Sequence, residues 1–205
     1  MNPDPRRELI PRGDTLRLIS ALDGVKAKFR DAAQQWQLLD DTGHVPASPS
    51  YAVLIQHAAD AQAISHEVLQ LTAEFTRTAH STNRAGSAVL AHLATAATMS
   101  SHAVAHFAET AETALSLPRS SGPTDRQYAE NRMVIDHATA RAYLRRTAES
   151  LRDAVKDLDI HLDIHRFFPT LSRPESPVPL PLPLPLPLPL PLPLPLPPKP
   201  STHRL

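Results

Sequence analysis

The sequence predicts an all-α fold: an elongated antiparallel four-helix bundle, up-down-up-down, followed by a polyproline C-terminal tail. Three observations predict it. Apolar residues recur at alternating spacings of three and four along four long segments, which lines each set along one helical face. Short runs rich in Pro, Gly, Ser and Asp separate the segments, and none of the segments reads as a strand. Beyond residue 168 the composition narrows to Pro and Leu, which leaves roughly 155 residues for a single core.

Residues 1–13 hold Pro3, Pro5, Pro11 and Gly13, too closely spaced for a helix, and are expected to form a loose arm. Asp14 is placed to cap the first helix, along which Leu18, Leu22, Val25, Phe29, Ala32, Trp36 and Leu39 form a heptad. Gly24 in its middle is worth about 1 kcal/mol less than Ala, and a close helix contact is the expected reason for it. Ser48 and Pro49 read as N-cap and first residue of a second helix, running to about His80 with Leu54, His57, Ala61, Ile64, Val68, Leu71 and Phe75 inward.

Residues 81–86 are expected to break the chain there, with one bent continuous helix as the alternative. The third helix, from about Ser87 to Leu117, presents Leu90, Leu93, Ala97, Ser100, Val104, Phe107, Ala111 and Ala114. Such small side chains allow axes to approach toward the lower end of the ~8–10 Å range. Pro118 stops it. Thr124 and Gln127 match a capping box for the fourth helix. That helix carries Val134, His137, Arg141, Leu144, Ala148, Leu151, Val155, Leu158, Leu162 and His165 on one face and ends before Pro169. The expected organisation is thus an arm over 1–13, the bundle over 14–168 and a Pro/Leu-rich low-complexity tail over 169–205.

Lys plus Arg and Asp plus Glu are each 21, so no net field gathers nucleic acid, and such binding would need a local patch. Arg141, Arg145, Arg152 and Lys156 flank the fourth helix, but Glu149 and Asp153 lie among them and the face reads as solvated and ion-paired. Cysteine is absent, which excludes disulfides, thiolate ligands and cysteine nucleophiles. The first residues lack the apolar run of a signal peptide, and no stretch approaches the ~20 apolar residues of a membrane span, so a cytoplasmic location is expected. No glycine-rich phosphate loop, Gly-x-Ser-x-Gly or His-Glu-x-x-His occurs, and neither an enzymatic activity nor a cofactor is expected.

Chemistry has to be sought among 11 histidines. Two pairs, His102/His106 and His161/His165, have the four-residue spacing that puts both rings on one side of a helix. His102 and His106 fall opposite the apolar stripe and are expected in solvent. His161 and His165 close a segment of alternating Asp and His, where they offset acids at a helix C-terminus or, alternatively, ligate a metal.

Counting outward from the two turns places His57 level with Ala111 and Glu130, and His137 level with Val104 and Ile64, with Asp60 between those layers. His57, Asp60, Glu130 and His137 therefore form a candidate interior metal or small-ligand site, of the kind facing helices build. The other reading is a satisfied polar layer that sets helix register. No Glu is followed three residues later by His, so the di-iron signature is missing.

From Pro179 to Leu196 Pro and Leu alternate strictly, which implies polyproline II about 55 Å long. Pro-x-x-Pro spacing appears only at its end, which makes Pro195, Pro198, Lys199 and Pro200 the candidate partner-binding residues. The expectation for function is a non-enzymatic interaction or scaffold protein that binds itself or a partner through helical faces, with the tail as spacer or docking strip. The alternative is a bundle binding a metal ion or small ligand at its interior His/carboxylate layer.

Overall fold

The computed structural model describes residues 9–167, most of which lie in four α-helices: α1 Arg12–Gln35, α2 Tyr51–Thr76, α3 Arg84–Ser116 and α4 Pro123–Phe167. There is no strand among the described residues. Each helix packs on its neighbours in the chain, and α1 closes the ring against α4. Side-chain pairs set every adjacent pair antiparallel. Lys28 and Trp36 of the first segment meet Glu67 and His57, Ser65 and His57 meet Ser100 and Phe107, and His92 and Phe107 meet Asp157 and His137. In each case the partner's number falls as the first rises, as an up-down-up-down bundle requires.

The helix boundaries differ from the sequence expectation in instructive ways. Pro11, not Asp14, stands at the N-cap of α1, and Asp14 lies within the first turn, where a carboxylate is favourable to the dipole. Ser50 rather than Ser48 caps α2, accepting from the Val53 N–H, so Pro49 stays outside the helix. The capping box at Thr124 does not form. Pro123 takes the first helical position, where its missing N–H is harmless, and Gln127 instead donates to Asn131.

Helices α2 and α3 are separate. Asn83 caps α3 by accepting from the Gly86 N–H at 2.7 Å. Gly86 has a steric reason: a Cβ there would stand 1.9 Å from the His80 carbonyl oxygen. Gly24, expected at a close contact, has nothing within 4 Å of where its Cβ would be. The α1 heptad also ends early. With the helix over at Gln35, Leu38 is buried and Leu39 is 41% exposed.

The core is two apolar clusters stacked along the bundle. The larger runs from Ile10 through Phe29, Val68, Leu93, Leu144, Leu151 and Leu158, and a smaller one gathers Leu38, Leu54, Ala111, Ala114, Leu117 and Met133. Between them lies a layer of rings.

Candidate metal centre

That layer consists of Trp36, His57, Phe107 and His137. Trp36 stacks on His57 with ring centroids 5.0 Å apart and planes at 8°, while Phe107 stands edge-on to Trp36 at 5.2 Å and to His137 at 5.3 Å. The two imidazoles lie 6.1 Å apart. His57 and His137, placed in separate layers by counting from the turns, meet instead at Phe107, about one helical turn from the Ala111 level expected for His57.

The slip removes the carboxylates. Glu130 accepts from Arg126 Nε at 2.9 Å, and Arg126 Nη2 donates to the Ala47 carbonyl, so Glu130 anchors the α1–α2 link rather than facing His57. Asp60 accepts from Gln56, and only its field reaches His57. His57 Nδ1 and His137 Nε2 are sealed from solvent without hydrogen-bond partners. Burial, then the His57 and Arg141 charges, push His137 down to about 4, and burial also lowers His57. Both rings are neutral at pH 7. The interior layer is a pair of imidazoles with no acid beside it.

The pair at the end of α4, His161 and His165, holds the backbone of Ile10. The Ile10 N–H donates to His161 Nε2 at 2.9 Å, and His165 Nε2 donates to the Ile10 carbonyl at 2.8 Å. A carbonyl only accepts, so these bonds commit a lone pair of one ring and a proton of the other. Both Nε2 atoms are thus engaged by the Ile10 backbone. His161 is buried, which lowers its affinity for a proton.

The acid–imidazole cluster that does form lies outside the layer, on the α3–α4 seam. His106 and Glu109, three apart on α3, share a face, and α4 supplies Asp136 opposite them. Their ligand atoms all fall within 4.8 Å of one another. His106 Nδ1 donates to Glu109 Oε2 at 3.0 Å and stands 3.5 Å from Asp136 Oδ1. The His106 ring stacks on Tyr143 at 10°, which fixes its plane. Asp136 Oδ2 is sealed from solvent and accepts no hydrogen bond, while Arg132 Nε stands 3.6 Å away.

His106 is therefore not the solvated residue expected, because α4 covers it; His102 is exposed, with its ring 5.2 Å from Tyr143. Glu109 and Asp136 had no place among the sequence candidates. One signal for Glu109 was present: it stands three residues after His106, which puts both on one helical face. Pro195, Pro198, Lys199 and Pro200 lie outside the described residues. No helix among the described residues is long and apolar enough to cross a membrane. In comparisons with family models, curated proteins and solved structures, nothing matches the chain.

Proposed function

We propose that this chain is a metal-binding helical bundle, holding a divalent first-row transition ion between α3 and α4 on His106 Nδ1, Glu109 and Asp136. The observation that carries the reading is the convergence of three ligand atoms from two helices on a carboxylate whose Oδ2 is sealed from solvent and accepts no hydrogen bond, with Arg132 Nε 3.6 Å from it. A buried carboxylate oxygen that accepts no hydrogen bond is unfavourable by roughly 1–3 kcal/mol; Arg132 at 3.6 Å offsets part of this, and a directly coordinated cation relieves the rest. One nitrogen and two carboxylate oxygens suit Zn²⁺, Mn²⁺ or Fe²⁺ and leave coordination positions for water. Protons compete with the ion for His106 and the two carboxylates, so affinity weakens as pH falls.

The test is thermal unfolding of metal-stripped full-length chain with added Zn²⁺ or Mn²⁺. At a hundredfold excess over Kd a rise of about 5–10 °C is expected. Asp136→Asn and His106→Ala should abolish the rise, whereas His57→Ala should retain it. A shift that survives in Asp136→Asn, or none in the parent chain at millimolar metal, refutes the site.

A second reading, association with a partner helix or a second copy, is supported by Tyr128 and Ile135. They lie one heptad apart on α4 and are 75% and 64% exposed. Light scattering on the full chain and on Ile135→Glu tests it: an assembly lost in the variant supports the reading, and a monomer at high concentration with no captured partner counts against it.

A further inference from the structure

A groove of about 600 Å³ runs between α1 and α4 on the side away from the metal cluster's seam. Its walls carry Lys26 and Arg30 from α1 and Arg141, Arg145 and Arg152 from α4, with Glu149 as the one acid. Ala33 and Ala148 line it as well, and their small side chains leave the space open. In a chain with equal numbers of acids and bases, five cations around one concavity form the local patch that anion binding requires.

These cations are unevenly committed. Lys26 pairs with Asp23 at 2.5 Å and Arg152 with Asp153 at 3.3 Å, both outside the groove lining. Arg141 donates through Nε to the Ala33 carbonyl and through Nη1 to Gln37, two neutral acceptors that hold the guanidinium in place and leave Nη2 uncommitted. Among the described residues no carboxylate forms an ion pair with Arg30, Arg141 or Arg145. Burial and the neighbouring Arg145 charge both disfavour the Arg141 cation. The groove thus stores repulsion that an anion would relieve.

We infer that the α1–α4 groove binds a small polyanion bearing several phosphate groups, clamped between Arg30 on one wall and Arg141 and Arg145 on the other. The volume lies within the ~300–1,000 Å³ of small-molecule sites. Guanidinium forks, of which that of Arg141 is held in place, match phosphate oxygens two at a time, a geometry an ammonium does not reproduce. From Arg141 to Arg152 the wall extends about 16 Å, long enough for a chain of phosphates. A nucleic-acid strand is the less suited ligand, because Glu149 interrupts the row and the chain has no net field to draw a long polyanion in.

Isothermal titration of the full-length chain, in EDTA to exclude the metal centre, tests the proposal with inorganic triphosphate as probe, sulfate as control and a single-stranded oligonucleotide as competitor. Saturable triphosphate binding is expected at physiological salt, with sulfate much weaker. The exposed-charge variant Arg30→Ala/Arg145→Ala, whose circular dichroism should match the parent, is expected to lose about tenfold or more in affinity. Arg141→Lys should lose affinity despite keeping its charge. Equal triphosphate affinity in the double variant, or none in the parent, overturns the inference, as does an oligonucleotide that binds more tightly and displaces triphosphate from the same residues.

Discussion

Where α3 meets α4, the two helices each carry a ladder of fully buried small side chains at seven-residue intervals, Ala96, Ala103 and Thr110 on one and Ala140, Thr147 and Ala154 on the other. Where α1 meets α2, large side chains stand at the seam instead, and a groove of about 480 Å³ opens among Leu18, Ala21, Leu71 and Phe75. Small residues let backbones close up, so the first seam is dense and the second gapped. Polar stitching follows the same division. Ser150 donates to the His92 carbonyl and His92 faces Asp157 across α3–α4, while α1 and α2 are bridged at the surface by Lys28 and Glu67. The cluster of His106, Glu109 and Asp136 sits on the dense seam, where side chains from two helices are held in fixed register.

The comparison can be broken most directly by cavity formation. Phe107 is 1% exposed and touches Trp36, His57 and His137, so Phe107→Ala should cost about 3–5 kcal/mol, read from the urea midpoint. Leu71→Ala, at the already gapped seam, should cost under about 2 kcal/mol because little new void is created. Equal losses would mean that the two seams are packed alike.

Acid is the next lever. His137 is native in its neutral form, held at about 4 against 6.5 for the free side chain. Its contribution is therefore complete above about pH 6.5, is lost as pH falls toward 4, and changes no further below that. The loss is up to about 3 kcal/mol, with His57 and His161 acting in the same direction. Chemical denaturation at pH 7 and pH 4.5 should show it, and His137→Leu should flatten the difference. A pH-independent midpoint over that window would contradict the burial of the ring.

The smallest effects come from two glycines with opposite surroundings. Gly86→Ala should destabilise by more than about 1 kcal/mol, since the new methyl meets a backbone carbonyl that has to move. Gly24→Ala, with open space around it on α1, should stabilise by about 0.5–1 kcal/mol, measured as a rise in Tm.

Four helices, their order and most of their inward faces were legible in the sequence, because a 3.6-residue period and Pro/Gly punctuation act within a single segment. Phe29, Leu93, Leu144 and Leu158 are buried as their spacing required. The helix caps were less legible, since Ser48, Ser50, Asp14 and Pro11 offer competing starts that differ by tenths of a kcal/mol to about 1 kcal/mol, and the surrounding chain selects among them.

The acid–imidazole pairing was decided only by packing. A displacement of about one turn in register separated Glu130 from His57 and brought His57 and His137, expected in different layers, together at Phe107. The same registration carried Asp136 over His106, a residue whose own helix gives it no reason to be covered. Local sequence sets which face of a helix is apolar, but the rotation and sliding of one helix against another depend on the summed fit of side chains contributed by different segments. That fit exists only once the four helices have met.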